Sequence, residues 1–120
     1  MAHILLAEDD ESMLNFLVLA LARAGHTVTA KTDGLEALKA LEGEAGFDLL
    51  LTDIVMPGID GIELAQRAAA LRPSLKVMFI TGFAAVAMNN TVPTKTNTKI
   101  LSKPFHLNDL VDQVERLLAA

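Results

Sequence analysis

Three short runs in this chain, Ile4-Leu5-Leu6-Ala7, Leu49-Leu50-Leu51 and Val77-Met78-Phe79-Ile80, are apolar at every position. A strand with one face in water alternates apolar and polar residues, so strands that are apolar throughout demand cover on both faces. The segments between them have helical period. Met13, Phe16, Leu17, Ala20 and Leu21 recur at that spacing up to Gly25, a suitable residue just past a helix end. Asp33 can cap a second helix over Leu35, Leu38 and Leu41, which frays at Gly43 and Gly46. Gly61 to Leu71 predicts a third, with Ile62, Ala65 and Leu71 inward and Pro73 as the stop. His106 to Leu118 predicts a closing helix with Leu107, Leu110, Val111, Val114 and Leu118 on one face. His26 to Lys31 and Ile100-Leu101 supply the remaining strands.

Buried strands alternating with helices predict an α/β domain with a parallel sheet covered on both sides. Five such units in 120 residues fit a doubly wound (βα)5 sheet of flavodoxin-like order 2-1-3-4-5. No linker or repeat interrupts the pattern, so residues 1–120 read as one domain without an output domain. The chain has no cysteine, which excludes disulfides and thiolate metal sites. A net charge of −5 and the lack of Trp and Tyr argue against a nucleic-acid surface. No signal peptide and no membrane span are legible, so a cytoplasmic location is expected, and a monomer.

Ligands of open α/β sheets bind beyond the carboxyl ends of the strands. Here the first strand ends in Glu8-Asp9 and the third in Asp53, while the fourth ends in Thr81 and the fifth in Lys103-Pro104. Carboxylates that converge in one crevice repel each other unless a cation lies among them, and an all-oxygen set suits Mg2+. The Lys103 amine and Thr81 hydroxyl suit an anion with several oxygens, such as a phosphoryl group. Asp53 is then the candidate nucleophile toward phosphorus, with Asp9 as a direct metal ligand and Glu8 acting through a water. A lone strand-end Asp is more often a helix cap, and Asp10 or Ser12 fits that role. Polar groups at four strand ends together are harder to explain by packing. His3, His26 and His106 share no spacing and read as structural or solvent-facing.

The stretches ILLAEDDESM, LLLTDIVMPGIDGIEL, FITG and LSKPF resemble the receiver domain of two-component response regulators, over the whole chain. The resemblance implies that Asp53 accepts a phosphoryl group and that Glu8, Asp9 and the Val55 backbone carbonyl join it around Mg2+. It makes Thr81 the switch hydroxyl and Lys103 the phosphoryl-binding lysine, with a cis bond at Lys103-Pro104. It implies a histidine kinase or histidine phosphotransfer protein as partner, docking on the first helix. That face includes Ser12, Asn15, Phe16 and Leu19, near Pro104 and Phe105; core packing is the preferred reading of Phe16 and Leu19.

Two departures from the family pattern stand out. Ile100 occupies the place of an aromatic whose rotamer follows the switch hydroxyl. AVAMNNTVPTKTNTK occupies the place of the fourth helix, where Pro93 and the Asn and Thr residues disfavour a continuous helix. That helix is expected to be short or disordered, with Ala84 to Asn89 as its longest extent.

With no DNA-binding or enzymatic module legible, output is expected to be a phosphorylation-dependent protein contact. The likeness extends to single-domain receivers that control substrate delivery to the ClpXP protease in alphaproteobacterial cell-cycle control. This implies an AAA+ unfoldase, ClpX, as partner and an adaptor active when unphosphorylated. The ending Leu118-Ala119-Ala120 resembles degradation tags read by such unfoldases. An aspartyl-phosphate phosphatase is the alternative from another class. It generally carries a second acid two residues after the nucleophile, where this chain has Val55.

Overall fold

Continuous apolar strands become the middle of a covered sheet in the computed structural model, which describes residues 2–43, 46–81, 98–102 and 105–119. Among these, β1 (His3–Ala7), α1 (Glu11–Arg23), β2 (Thr27–Lys31), α2 (Gly34–Gly43) and β3 (Leu49–Asp53) follow in order. They lead to α3 (Gly61–Leu71), β4 (Lys76–Thr81), β5 (Thr98–Ser102) and α4 (Leu107–Ala119). All pairings are parallel and the strand order is β2-β1-β3-β4-β5. This is the doubly wound flavodoxin-like order expected from the pattern. The segment 84–98, expected to be short or disordered, lies outside the described residues apart from Thr98, which begins β5.

Side chains on a strand alternate between faces, and the core divides accordingly. Leu5, Ala7, Leu50 and Phe79 join Ala37, Leu38 and Leu41 of α2 and Leu64 and Ala68 of α3 in one layer. Ile4, Leu6, Leu49, Leu51, Met78 and Ile80 meet Leu14, Leu17 and Leu21 of α1 and Leu110, Val114 and Leu117 of α4 in the other. Asp10, Asp33 and Asp60 cap α1, α2 and α3, each accepting a backbone N–H of the first turn at 3.0 Å or less.

The helical stripes differ in phase from the sequence reading. In α1, Leu14, Leu17 and Leu21 face the sheet, whereas Phe16 is 60% exposed and Leu19 55%. Core packing of those two is therefore corrected. In α3 the buried line is Gly61, Leu64 and Ala68; Ile62 and Ala65 flank it and Leu71 is exposed. Alanine and glycine are weak markers of a buried face by hydropathy, yet they let α3 approach the sheet closely.

The histidines are structural or solvent-facing, as expected. His26 is buried at the amino end of the sheet, its Nδ1 accepting from Ala2 N–H at 3.1 Å while Nε2 lies 2.8 Å from the Glu115 carboxylate. His3 stacks near Phe47 with ring centroids 4.3 Å apart, and His106 is exposed. Lys76 Nζ donates to the carbonyls of Leu117 and Leu118 at 2.7 and 3.3 Å, holding the end of α4.

Leu51→Ala in β3, at a site with no exposed surface, is expected to cost about 2–5 kcal/mol, the range for a large-to-small change in a packed core. Urea unfolding checks this: the midpoint should fall while the slope is unchanged.

Candidate metal and phosphoryl site

The carboxylates come together because of strand register. Ala7 of β1 pairs with Thr52 of β3, so the residues that follow, Glu8 and Asp53, emerge side by side. Carboxylate oxygens of Glu8, Asp9 and Asp53 all lie within 4.8 Å of one another. Glu8 is fully buried and Asp53 is 8% exposed, whereas Asp9 is exposed. The Glu8 carboxylate accepts from Asp10 N–H at 3.0 Å, which turns the chain after β1 and leads into the capped start of α1. Three negative groups at this spacing, two with little access to water, are costly without a compensating cation. An oxygen-only, partly open set of this kind fits Mg2+, which keeps several waters and takes one or two carboxylates.

Asp53 is held at its backbone as well. Ile54 N–H donates to Ile80 O at 3.1 Å and Gly61 N–H donates to Ile54 O at 2.8 Å, closing the loop that carries Val55. The Thr52 hydroxyl donates to Asp53 O at 2.9 Å and lies 3.8 Å from the Met56 sulfur. Met56 is buried beneath the loop while Val55 is 52% exposed, so the loop is anchored by one side chain and presents the next. A Cβ on Gly61 would stand 2.0 Å from Asp53 O, so α3 starts against the backbone of Asp53 itself.

Thr81 ends β4 and is buried; Ile80, the residue before it, pairs with Asp53. Thr81 therefore belongs to the same end of the sheet as Asp53. Lys103 and Pro104 lie outside the described residues, and so does the expected cis bond between them. Ile100, in the place of the expected aromatic, pairs with Phe79 and packs partly buried on the α2–α3 side. Sequence reasoning placed the helix start at Gly61 but missed the Asp60 cap and the close approach to Asp53 that Gly61 permits. The signal was present as Asp60 followed three residues on by Glu63, a helix-start signature.

On α1, Phe16 and Leu19 line a surface groove together with Arg23 and, across from them, Leu107, Val111 and Asp112 of α4. Phe105 packs partly buried against the same side of the core. The docking face expected on α1 is thus exposed and bounded by α4.

A model of the response regulator receiver domain matches residues 4–115. This chain belongs to that family. The receiver is a signalling domain. Among relatives, a response regulator receiver protein named CpdR from Brucella abortus (strain 2308) is 57% identical over 120 residues, covering all of this chain and 99% of that one. The sensor kinase CckA of the same organism is 34% identical over 118 residues, 98% of this chain but only 12% of the kinase. Among solved structures, a response regulator receiver protein from Sinorhizobium medicae WSM419 superimposes with a TM-score of 0.89 at 35% identity, covering 99% and 95% of the two chains. The receiver domain of the hybrid histidine kinase CckA gives 0.81 at 31% identity, covering 97% and 98%. Among the described residues, no helix is long and apolar enough to cross a membrane.

Asp9→Asn removes one charge from the triad at its exposed corner. In EDTA at low salt the variant is expected to melt a few degrees above the wild type, because like-charge repulsion falls. Added Mg2+ should then raise its melting temperature less than that of the wild type. Differential scanning fluorimetry with and without Mg2+ checks both.

Proposed function

We propose that this receiver accepts a phosphoryl group on Asp53 from a histidine kinase or histidine phosphotransfer protein and controls a protein partner through that modification. The observation that carries the reading is the triad of Glu8, Asp9 and Asp53, with Asp53 the carboxylate at the end of the central strand. A carboxylate oxygen of Asp53 attacks phosphorus, forming an acyl phosphate. The phosphorus–nitrogen bond to the donor imidazole breaks, and its electron pair leaves with the imidazole. Glu8, Asp9, Asp53 and the Val55 carbonyl are the groups for Mg2+, which when bound neutralises charge on the phosphoryl oxygens. Asp53 is nearly enclosed at 8% exposure, while Asp9 of the triad and Val55, two residues after Asp53, are exposed. Thr81 and Lys103 serve as hydroxyl and ammonium partners of the transferred oxygens. The domain thereby assists its own phosphorylation and dephosphorylation and turns over no separate substrate. A phosphomonoester phosphatase is less suited, because Val55 supplies no acid two residues after Asp53.

The finer reading is a phosphorylation-switched adaptor for ClpXP proteolysis in cell-cycle control, active when unphosphorylated and contacting ClpX in the cytoplasm. It is supported by 57% identity to the CpdR receiver protein across nearly all of both chains. The exposed Phe16 and Leu19 beside α4 offer apolar surface for the phosphoryl donor.

Incubation with acetyl phosphate and Mg2+ is expected to add one phosphoryl group by intact-protein mass spectrometry. Asp53→Asn should show no addition; persistence of the gain in that variant would falsify the assignment. For the adaptor, unphosphorylated protein and Asp53→Ala are expected to retain purified ClpX on a column, and phosphorylated protein to release it. Loss of retention in both unphosphorylated forms points instead to a diffusible receiver or phosphorelay intermediate.

A further inference from the structure

The loop between β3 and α3 is held from outside by the start of α2. Gly34, the first residue of α2, is buried, and a Cβ built on it would lie 2.2 Å from Ile59 O and 2.7 Å from Ile59 Cγ1. No real Cβ tolerates such a distance to a backbone atom, so the need for glycine here is one of space. One residue on, the Leu35 side chain stands 3.2 Å from the Cβ position of Gly58, a residue whose φ of +81° already favours glycine. The Asp33 carboxylate, accepting from Glu36 N–H at 2.8 Å, sets the place of this first turn. Ile59 also packs against the core layer shared by α2 and α3. The loop thus has three fixed points: Met56 buried below it, Gly61 against Asp53 O behind it, and Gly34 against Ile59 at its side.

We infer that Gly34 is a positioning residue for the phosphoryl site, acting through Ile59 on the loop that presents the Val55 carbonyl. The inference rests on the proposed role of Asp53 and of that carbonyl. Gly34 lies on a different element from any of the site's carboxylates. Its lack of a side chain lets the loop settle toward α2, with Val55 exposed two residues after Asp53. A methyl group at Gly34 pushes Ile59 O away, and the displacement passes along a short loop closed by the Gly61–Ile54 hydrogen bond. Catalytic groups tolerate misplacement poorly, and residues that orient metal ligands typically govern affinity by one to two orders of magnitude.

Gly34→Ala, Ile59→Ala and Leu41→Ala test this, each checked for folding by circular dichroism. Leu41 is fully buried on the same helix, seven residues on from Gly34, and serves as a control for lost stability. Mg2+ affinity is read by isothermal titration calorimetry, and phosphoryl incorporation from acetyl phosphate by mass spectrometry over time. Gly34→Ala is expected to weaken Mg2+ binding and slow incorporation by about tenfold each, the scale of a lost ligand-orienting contact. Leu41→Ala should lower the melting temperature and leave both readouts at the wild-type value. A folded Gly34→Ala protein with wild-type Mg2+ affinity and rate overturns the inference. Equal losses in Leu41→Ala overturn it as well, because the effect is then one of stability. If Gly34→Ala does not fold, Ile59→Ala decides: the same losses support the clamp, and wild-type behaviour overturns it. A wild-type protein that neither binds Mg2+ nor takes up phosphoryl would instead sink the role of Asp53.

Discussion

Burial of β3 between two parallel neighbours is the constraint from which the site follows. All five residues from Leu49 to Asp53 are buried, and β1 and β4 flank them in register. Leucines 49, 50 and 51 feed both core layers at once, so the strand cannot slip by one residue without exchanging its faces. With the strand held in this way, its last residue has one place to go. That residue is an aspartate, delivered beside Glu8 because Ala7 is registered with Thr52. Apolar packing thus supplies the force that brings like charges together, and the charges in turn create the demand for a cation.

Around that strand end, the site is assembled from loops whose freedom has been removed piece by piece. Asp10 accepts the first N–H groups of α1 and receives its own bend from Glu8, so a residue of the acidic triad and a helix cap are neighbours in one turn. Gly61 and Gly34 let two helices start against the backbone on either side of Asp53 and Ile59. A receiver needs rigid placement of oxygens at one end of the sheet. It also needs surface that a partner can reach. The two demands are met on different parts of the molecule: enclosed carboxylates on the strand ends, and exposed Phe16 and Leu19 along α1.

The opposite end of the sheet is closed by polar contacts. His26 joins Ala2 to Glu115, and Lys76 holds the last carbonyls of α4. These contacts secure the final helix to the amino ends of β1, β2 and β4, far along the strands from the triad. Binding chemistry at the carboxyl ends and anchoring at the amino ends is the usual division of labour in an open α/β sheet.

Much of this is legible in the sequence. Runs without a polar residue, spaced by helical period, already required a parallel sheet covered on both faces, since no other arrangement buries them. The residues that end those runs, Glu8, Asp9, Asp53 and Thr81, named the candidate site, because a strand's end can be read where its apolar run stops. The faces of the helices were less legible. Hydropathy marks Phe16 as strongly as Leu17, and only packing against Ile4, Leu6 and Leu51 turns one inward and leaves the other 60% exposed. The small residues were not legible at all in their roles. Gly34 and Gly61 look alike to any glycine in a helix-start pattern, and what each one makes room for is a backbone atom more than six residues away in sequence. The sequence by itself determined the layers, the strand order and the residue types at the strand ends, because these follow from local period and composition. Tertiary structure alone decided which apolar side chains face water and which glycines admit a neighbouring chain, because both depend on distances between segments that the sequence keeps apart.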